Sequence, residues 1–412
     1  MKKQIIISVL SISIRGVTLL GRFLIILGIS KYLSIQDLGI YSLFFSTVIL
    51  ATMVVGFDFY TFRTREMFSP TCENILETIR DQFIFHFIFY CVFLPCLVFI
   101  FLKNVVSFEF IIPFYIILIF EHLSQEFFRL FTSLSKPIIA NIILFIRSAS
   151  WVYIIAVLLF LNQITLSLDL IFKSWMAGSI ISVIASVIIL KEMRLGKLFT
   201  PIRWGWIKKG IQVSIPFFIS TMAYKVIEFS NRYFIDYYLT KEEVGIFSFF
   251  NSISNLLHVF VFTGIIMLIY PKMVETFETD KDKYYHYEKQ LKLYTPLGSA
   301  LLIIIFYFLS PILLNIAGKE QFIDNINILW ILMGSIFVFN LSLIPHYCLY
   351  VRKFDKAIMV ITLIGMVANI ILNLILIQKV GIFGAAISLL ITYTIVSLLK
   401  YWKNFRPSSF PI

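Results

Sequence analysis

The segment Leu33-Ser34-Ile35-Gln36-Asp37-Leu38-Gly39-Ile40-Tyr41-Ser42 returns 206 positions later (239 − 33) as Leu239-Thr240-Lys241-Glu242-Glu243-Val244-Gly245-Ile246-Phe247-Ser248, in a chain of 412 residues. Each copy is a short polar turn with an acidic residue and a Gly, set between two long apolar runs. The chain therefore reads as one unit written twice. A duplicated bundle of this kind lets two matched halves rock against each other around a shared site, which is how many membrane carriers are built.

Composition fixes the solvent. With 59% hydrophobic residues, 14% charged residues and a mean hydropathy of +0.92, the chain has too little polar surface to coat a soluble globule. Crossing about 30 Å of hydrocarbon at 1.5 Å per residue takes roughly 20 apolar residues. Twelve runs meet that length, at 5–30, 39–62, 83–102, 109–131, 138–161, 170–190, 211–238, 245–270, 293–314, 326–350, 357–377 and 381–400. The fold class is an all-α polytopic membrane protein with six spans in each half. The expected division is an N-terminal lobe at 1–190, a basic interfacial linker at 191–210 and a C-terminal lobe at 211–412.

The net charge of +12 is not a nucleic-acid signature, because it is placed by side. Alternate connections and the helix ends adjoining them, starting from Lys2 and Lys3, hold 24 of the 35 Lys and Arg residues. The opposite set holds Lys31, Lys103, Lys241, Lys319 and Lys379. By the positive-inside rule both termini are cytoplasmic, and the expected location is the bacterial plasma (inner) membrane. An even number of spans per half then makes the repeats parallel, related by an axis along the membrane normal. Lys2 and Lys3 precede an apolar run with no small-residue cleavage site, so the first span is expected to stay uncleaved.

Outer connections are short, which leaves no room for an external catalytic domain. There is no Gly-rich phosphate loop ending in Lys-Ser/Thr, and the five histidines lack metal-ligand spacing. Cys72, Cys91, Cys96 and Cys348 show no redox or metal spacing and read as packing residues. No enzyme, resident cofactor or metal is expected.

Ionisable residues at membrane depth are the informative ones, since each costs about 2.5–3.5 kcal/mol on an insertion scale. Arg15 and Arg22 lie seven residues apart and share one helix face. Arg147 falls near the middle of the fifth span. Lys225, Glu228, Arg232 and Asp236 form a stripe of alternating sign on the seventh, able to pair with itself, and Pro216 near its start invites a kink. Glu121, Gln125, Glu126 and Arg129 make a polar patch on the fourth span, while Asp58 and Arg63 flank the inner end of the second. Arg129, Lys173 and Arg232 read as snorkelling to the interface. Arg15, Arg22 and Arg147 outnumber the nearby Glu121, a surplus suited to an anionic substrate because guanidinium groups bind phosphate oxygens in pairs. These three with Lys225 are the expected substrate-binding residues. Glu121 and Glu228 are the expected coupling or gating carboxylates. Asn369 and Asn373 share a face and read as interhelical hydrogen-bonding groups.

Several of these residues carry a resemblance. The turn Leu33 to Ser42, the Glu121/Gln125/Glu126/Arg129 helix running into Ser135-Lys136-Pro137 and Asn141 to Arg147, and the late Asn369/Asn373 pair followed by Gly381-Ile-Phe-Gly384-Ala385-Ala386 resemble the Wzx-type oligosaccharide flippases. That group belongs to the MOP superfamily with the lipid II flippase and the MATE exporters. The resemblance implies two six-helix lobes around a cationic cavity and, as partner, an undecaprenyl-diphosphate-linked oligosaccharide moved to the outer leaflet for O-antigen, capsule or exopolysaccharide assembly. Membrane lipids, a polysaccharide polymerase and chain-length proteins would be further partners, and a proton or sodium gradient a possible driving force. The alternatives are a MATE-like small-molecule exporter, whose cavity would favour acidic or aromatic lining, and a glycan polymerase or ligase, which the short outer loops and the repeat disfavour. A major-facilitator carrier is disfavoured by Arg63-Thr-Arg-Glu-Met-Phe-Ser-Pro, which lacks that family's loop pattern.

Overall fold

The computed structural model describes residues 2–68, 74–193 and 201–406, and among these every regular element is helical. In lipid an α-helix satisfies its backbone polar groups within one segment, so twelve separated apolar runs have no other common solution. The first half holds α1 (Lys2–Tyr32), α2 (Ile35–Gly56), α3 (Phe59–Met67), α4 (Ile75–Cys96), α5 (Val98–Leu102), α6 (Ile111–Ser133), α7 (Pro137–Phe145), α8 (Trp151–Phe160) and α9 (Leu168–Glu192). The second holds α10 (Trp204–Tyr238), α11 (Lys241–Val261), α12 (Met267–Thr279), α13 (Lys281–Ala317), α14 (Glu320–Asp324), α15 (Ile326–Val351), α16 (Asp355–Val380) and α17 (Ile382–Phe405). Joined across short breaks, they give twelve helices long and apolar enough to cross a membrane, six per half as the sequence predicts.

The chain packs as two compact units, Met1–Leu33 with Leu43–Met222, and Ser34–Ser42 with Ala223–Ile412. The division falls inside α2 and α10. Of the expected linker, 194–200 lie outside the described residues, as does Cys72, and Trp204 onward is the first turn of α10. In the first unit, aromatic side chains fill the space between helices: Phe44 stacks on Phe172 at 4.0 Å between centroids. Between α6 and α9 the contact is made instead by small hydroxyls, with Ser182 Oγ 2.8 Å from Ser124 Oγ, which lets the backbones approach. Phe249 on Phe322, at 4.1 Å, is an aromatic stack in the second unit.

Both copies of the repeated turn are capping boxes. At the start of α2 the Asp37 N–H donates to Ser34 Oγ at 3.0 Å while the Ser34 N–H donates to Asp37 Oδ2 at 3.1 Å. At the start of α11 the Glu243 N–H donates to Thr240 Oγ1 at 3.2 Å and the Thr240 N–H to Glu243 Oε2 at 3.1 Å. Two orphan donors are satisfied at each helix start. The two repeat glycines then have matching surroundings inside the second unit. A Cβ on Gly39 would collide with the Lys241 carbonyl, and one on Gly245 with the Ile35 carbonyl. The acidic residue and the glycine of the repeat thus have separate tasks, one capping a helix and the other admitting a backbone.

The second span departs from expectation. Instead of one helix over 39–62, α2 stops at Gly56, and Phe57 and Asp58 take φ of 50° and 48° before α3 begins. Consecutive left-handed residues, one of them a bulky Phe, cost on the order of 1–3 kcal/mol each and persist only where surroundings hold them. The fifth span is also interrupted, by a π-helical turn at Ile146–Ser150 that contains Arg147. The eighth carries a second such turn at Phe262–Ile266. Single π-turns inside α-helices are a frequent mark of functional positions.

Candidate functional site

Two polar clusters occupy the first unit. In one, Arg147 projects from the π-turn onto α6: its Nε lies 3.2 Å from Glu121 Oε1, and its Nη1 donates to the Glu121 carbonyl at 3.3 Å. Trp175 Nε1 donates to Glu121 Oε2 at 3.1 Å and Ser179 Oγ to the same oxygen at 3.4 Å, both from α9. The extra residue of the π-turn is accommodated by Trp151, whose indole N–H donates to the Arg147 carbonyl at 3.2 Å. Arg147 is 5% exposed and Glu121 3%, so the pair is desolvated and each member depends on the other.

The second cluster surrounds the break after α2. Gln82 Nε2 on α4 donates to Glu126 Oε2 on α6 at 2.5 Å and lies 3.0 Å from His86 Nε2. His86 Nδ1 lies 3.2 Å from the Val55 carbonyl, at the end of α2. With Gln82 donating to Nε2, the His86 proton sits on Nδ1 and is given to Val55. Tyr90 Oη is 2.5 Å from His122 Nδ1. Arg129 Nη1 is 2.6 Å from Glu126 Oε1, its Nη2 is 4.0 Å from Asp58 Oδ1, and its guanidinium lies 3.8 Å from the Tyr60 ring centre. A Cβ at Gly56 would sit 3.2 Å from His122 Nε2, so the glycine ending α2 makes room for the imidazole. Arg63, 1% exposed, is buried on α3 within electrostatic reach of Glu126 and Arg129. The strained break is what brings Val55, Gly56 and Asp58 to these partners.

The donor atoms of His86, His122 and Glu126 lie within 4.8 Å of one another, close enough for a metal ion. The guanidinium groups of Arg129 and Arg63 already supply the positive charge there, and a divalent ion would add uncompensated charge to a buried site. The arrangement is a buried ion-pair network centred on Glu126 and Arg129. Sequence spacing gave no sign of it, although Gln82/His86 and His122/Glu126 are each i, i+4 pairs in apolar helices.

In the second unit the α10 stripe pairs along itself in part. Lys225 Nζ is 2.7 Å from Glu228 Oε2, with both side chains about a quarter exposed at 23% and 25%. Arg232 donates through Nε to Ser248 Oγ at 3.2 Å and through Nη1 to the Glu228 carbonyl at 3.3 Å. Asp236 pairs with Lys241 at 3.2 Å. Asn369 accepts from Ser230 at 2.9 Å and donates to Thr392 at 3.2 Å, linking α10, α16 and α17, and Asn373 donates to Asn369 Oδ1 at 3.0 Å.

Of the expected substrate-binding cations, Arg147 is buried against Glu121, Lys225 is on Glu228, Arg15 is half-buried on α1 and Arg22 is exposed on the same helix. The snorkelling reading is corrected for two residues. Arg232 is 6% exposed and tied to Ser248, and Arg129 sits in the network around Glu126; only Lys173, 63% exposed beside Asp169, reaches outward. The packing reading of the cysteines holds for Cys348, whereas Cys91 and Cys96 are exposed.

No protein-family model matches the sequence, and no curated protein does. Solved structures do. The chain is similar to the lipid II flippase MurJ in an inward closed conformation, with a TM-score of 0.75, 15% identity, and 99% of this chain and 88% of that one covered. It is similar to a multidrug resistance MATE transporter of the MOP superfamily in its inward-facing form, with a TM-score of 0.72, 11% identity, and 98% and 99% covered. It also matches the outward-facing form of a MATE transporter at a TM-score of 0.64 and 12% identity, over 98% and 94%. The chain is a multi-pass membrane protein with the fold of the MATE and MurJ transporters of the MOP superfamily.

Proposed function

We propose that the protein is a flippase that carries an undecaprenyl-diphosphate-linked oligosaccharide from the cytoplasmic to the outer leaflet of the plasma membrane, with both termini cytoplasmic. The observation that carries this reading is Arg147, a guanidinium held at a π-turn in the middle of a span with its charge balanced by one carboxylate. Breaking a buried pair by removing one partner costs about 3–5 kcal/mol. A phosphate that takes the Arg147 fork removes that cost, because the guanidinium exchanges one anion for another. Arg15 and Arg22 on α1 supply further positive charge for a diphosphate, and Lys225 is the candidate substrate-binding cation of the second unit. Glu121, released from Arg147 but still held by Trp175 and Ser179, then becomes an acceptor for a proton or sodium ion. That exchange couples cargo to a gradient without a nucleotide, since each ligand favours the state in which the other's partner is free. Glu228, paired with Lys225, is the equivalent candidate in the second unit.

The test is made in cells that export a polysaccharide built on such a carrier. Arg147→Gln is expected to abolish surface glycan and accumulate the lipid-linked precursor at normal protein level, with partial rescue by Arg147→Lys, which keeps charge but not the fork. Full export in Arg147→Gln would remove the residue from the mechanism. The second reading is a MATE-like exporter, favoured by the shared fold. It predicts that deletion raises sensitivity to cationic drugs and leaves surface glycan intact.

A further inference from the structure

The second unit contains a cavity of about 170 Å³ lined by Tyr224, Glu228, Asn255, His258, Phe339 and Tyr393 together with two aliphatic side chains. An apolar cavity of about 150 Å³ holds one benzene ring, so this space admits one six-membered ring. Its walls are aromatic. Phe339 lies 5.9 Å from Tyr224, 4.8 Å from Tyr393 and 4.9 Å from His258, centroid to centroid.

Polar groups converge on the same space. The Asn255 amide and the hydroxyls of Tyr224 and Tyr393 make no hydrogen bond to another described residue. His258 Nδ1 is 2.9 Å from Asn340 Oδ1, and Asn340 Nδ2 donates to Ser299 Oγ at 3.3 Å. Asn340 therefore presents its oxygen to His258, the imidazole proton sits on Nδ1, and Nε2 is left as an acceptor. Glu228 spends one oxygen on Lys225, which also cancels its charge.

We propose that this cavity is a subsite for one pyranose ring of the transported glycan, an inference that rests on the flippase reading above. A pyranose offers C–H groups to an aromatic wall and hydroxyls around its rim. Few pockets match that mixture, and this one combines three aromatic side chains with an amide that can donate and accept, two phenol hydroxyls and two acceptors. The preferred ring is a neutral hexose or N-acetylhexosamine. The Lys225–Glu228 pair leaves the cavity with no net charge to hold either a uronate or an organic cation.

The full chain, purified in detergent, is tested by saturation-transfer NMR with millimolar glucose, galactose, N-acetylglucosamine, N-acetylgalactosamine, glucuronate and tetraphenylphosphonium. Transfer to at least one neutral sugar and not to glucuronate or tetraphenylphosphonium is expected. Asn255→Leu should weaken that binding about tenfold at an unchanged thermal midpoint, as loss of one buried hydrogen-bonding group does. Tyr393→Phe, which removes only a hydroxyl, is the second variant if Asn255→Leu does not fold, and should weaken binding several-fold. Transfer to no neutral sugar, preference for glucuronate or the cation, or wild-type binding in the variants overturns the subsite. Unaltered flipping and sugar selectivity in Asn255→Leu would overturn it while leaving the flippase reading intact. Sugar binding with no movement of any lipid-linked glycan would overturn the flippase reading alone.

Discussion

In the first unit, Asp58, Glu126 and Arg129 come from the break after α2 and from α6, and they are joined with Gln82, His86 and His122 in a network in which Glu126 is 2% exposed, with Arg63 of the short helix α3 buried beside it at 1%. In the second unit, Lys225 and Glu228 are neighbours on one helix, and each keeps about a quarter of its side chain accessible, at 23% and 25%. A charge network spread over several helices fixes their mutual placement, since no member can move without leaving a partner buried and alone. A pair within one turn of one helix constrains nothing beyond that turn. The first arrangement serves as a rigid frame for Glu121, on the same α6, and so for the Arg147 paired with it from the π-turn, and the second leaves its groups free to exchange partners.

That contrast gives a ranked set of expectations. Glu126→Ala should have the largest effect, lowering stability by about 3–5 kcal/mol because it strands Arg129 in a buried site. Thermal unfolding in detergent would read this, and a loss below 1 kcal/mol would mean that the network is wet and not a frame. Gly39→Ala and Gly245→Ala come next, at about 1–3 kcal/mol each, since each Cβ meets a carbonyl. Their costs should be equal within error and less than additive together, because both force apart the same two helix starts. Unequal costs would break the symmetry argued from the repeat. Smallest is Lys225→Gln, expected to change stability by at most about 1 kcal/mol, the usual worth of a partly exposed pair. A larger loss would make the second unit as rigidly tied as the first.

Much of this architecture is legible in the sequence, for identifiable reasons. Twelve apolar runs force twelve helices, and the Ser34/Asp37 and Thr240/Glu243 turns carry a local capping pattern that needs no tertiary context. Glu121 and Arg147 stand out as charges in apolar surroundings, though their pairing emerges only once α6 and the π-turn are packed. The network around Glu126 is hidden because Asp58, Gln82, His86 and His122 are far apart in sequence, and each by itself reads as a tolerated polar residue. The i, i+4 pairs Gln82/His86 and His122/Glu126, on consecutive apolar spans, were the available signal. The break at Phe57 and Asp58 has no sequence mark, since neither residue favours a left-handed backbone enough to end a helix; the partners around it hold it there. The aromatic cavity is drawn from α10, α11, α15 and α17, and its residues read singly as core.

The central claim is tested most directly by translocation of a lipid-linked oligosaccharide in proteoliposomes that contain only this chain. Outward movement is followed by the access of an added glycan-modifying reagent, with and without an imposed proton or sodium gradient. Wild-type protein is expected to move the glycolipid and to respond to one of the gradients, Arg147→Gln to move none, and Glu121→Gln to move it slowly with a blunted gradient response. Wild-type vesicles that leave the glycolipid in place, or an Arg147→Gln variant that moves it at the wild-type rate, would contradict the account.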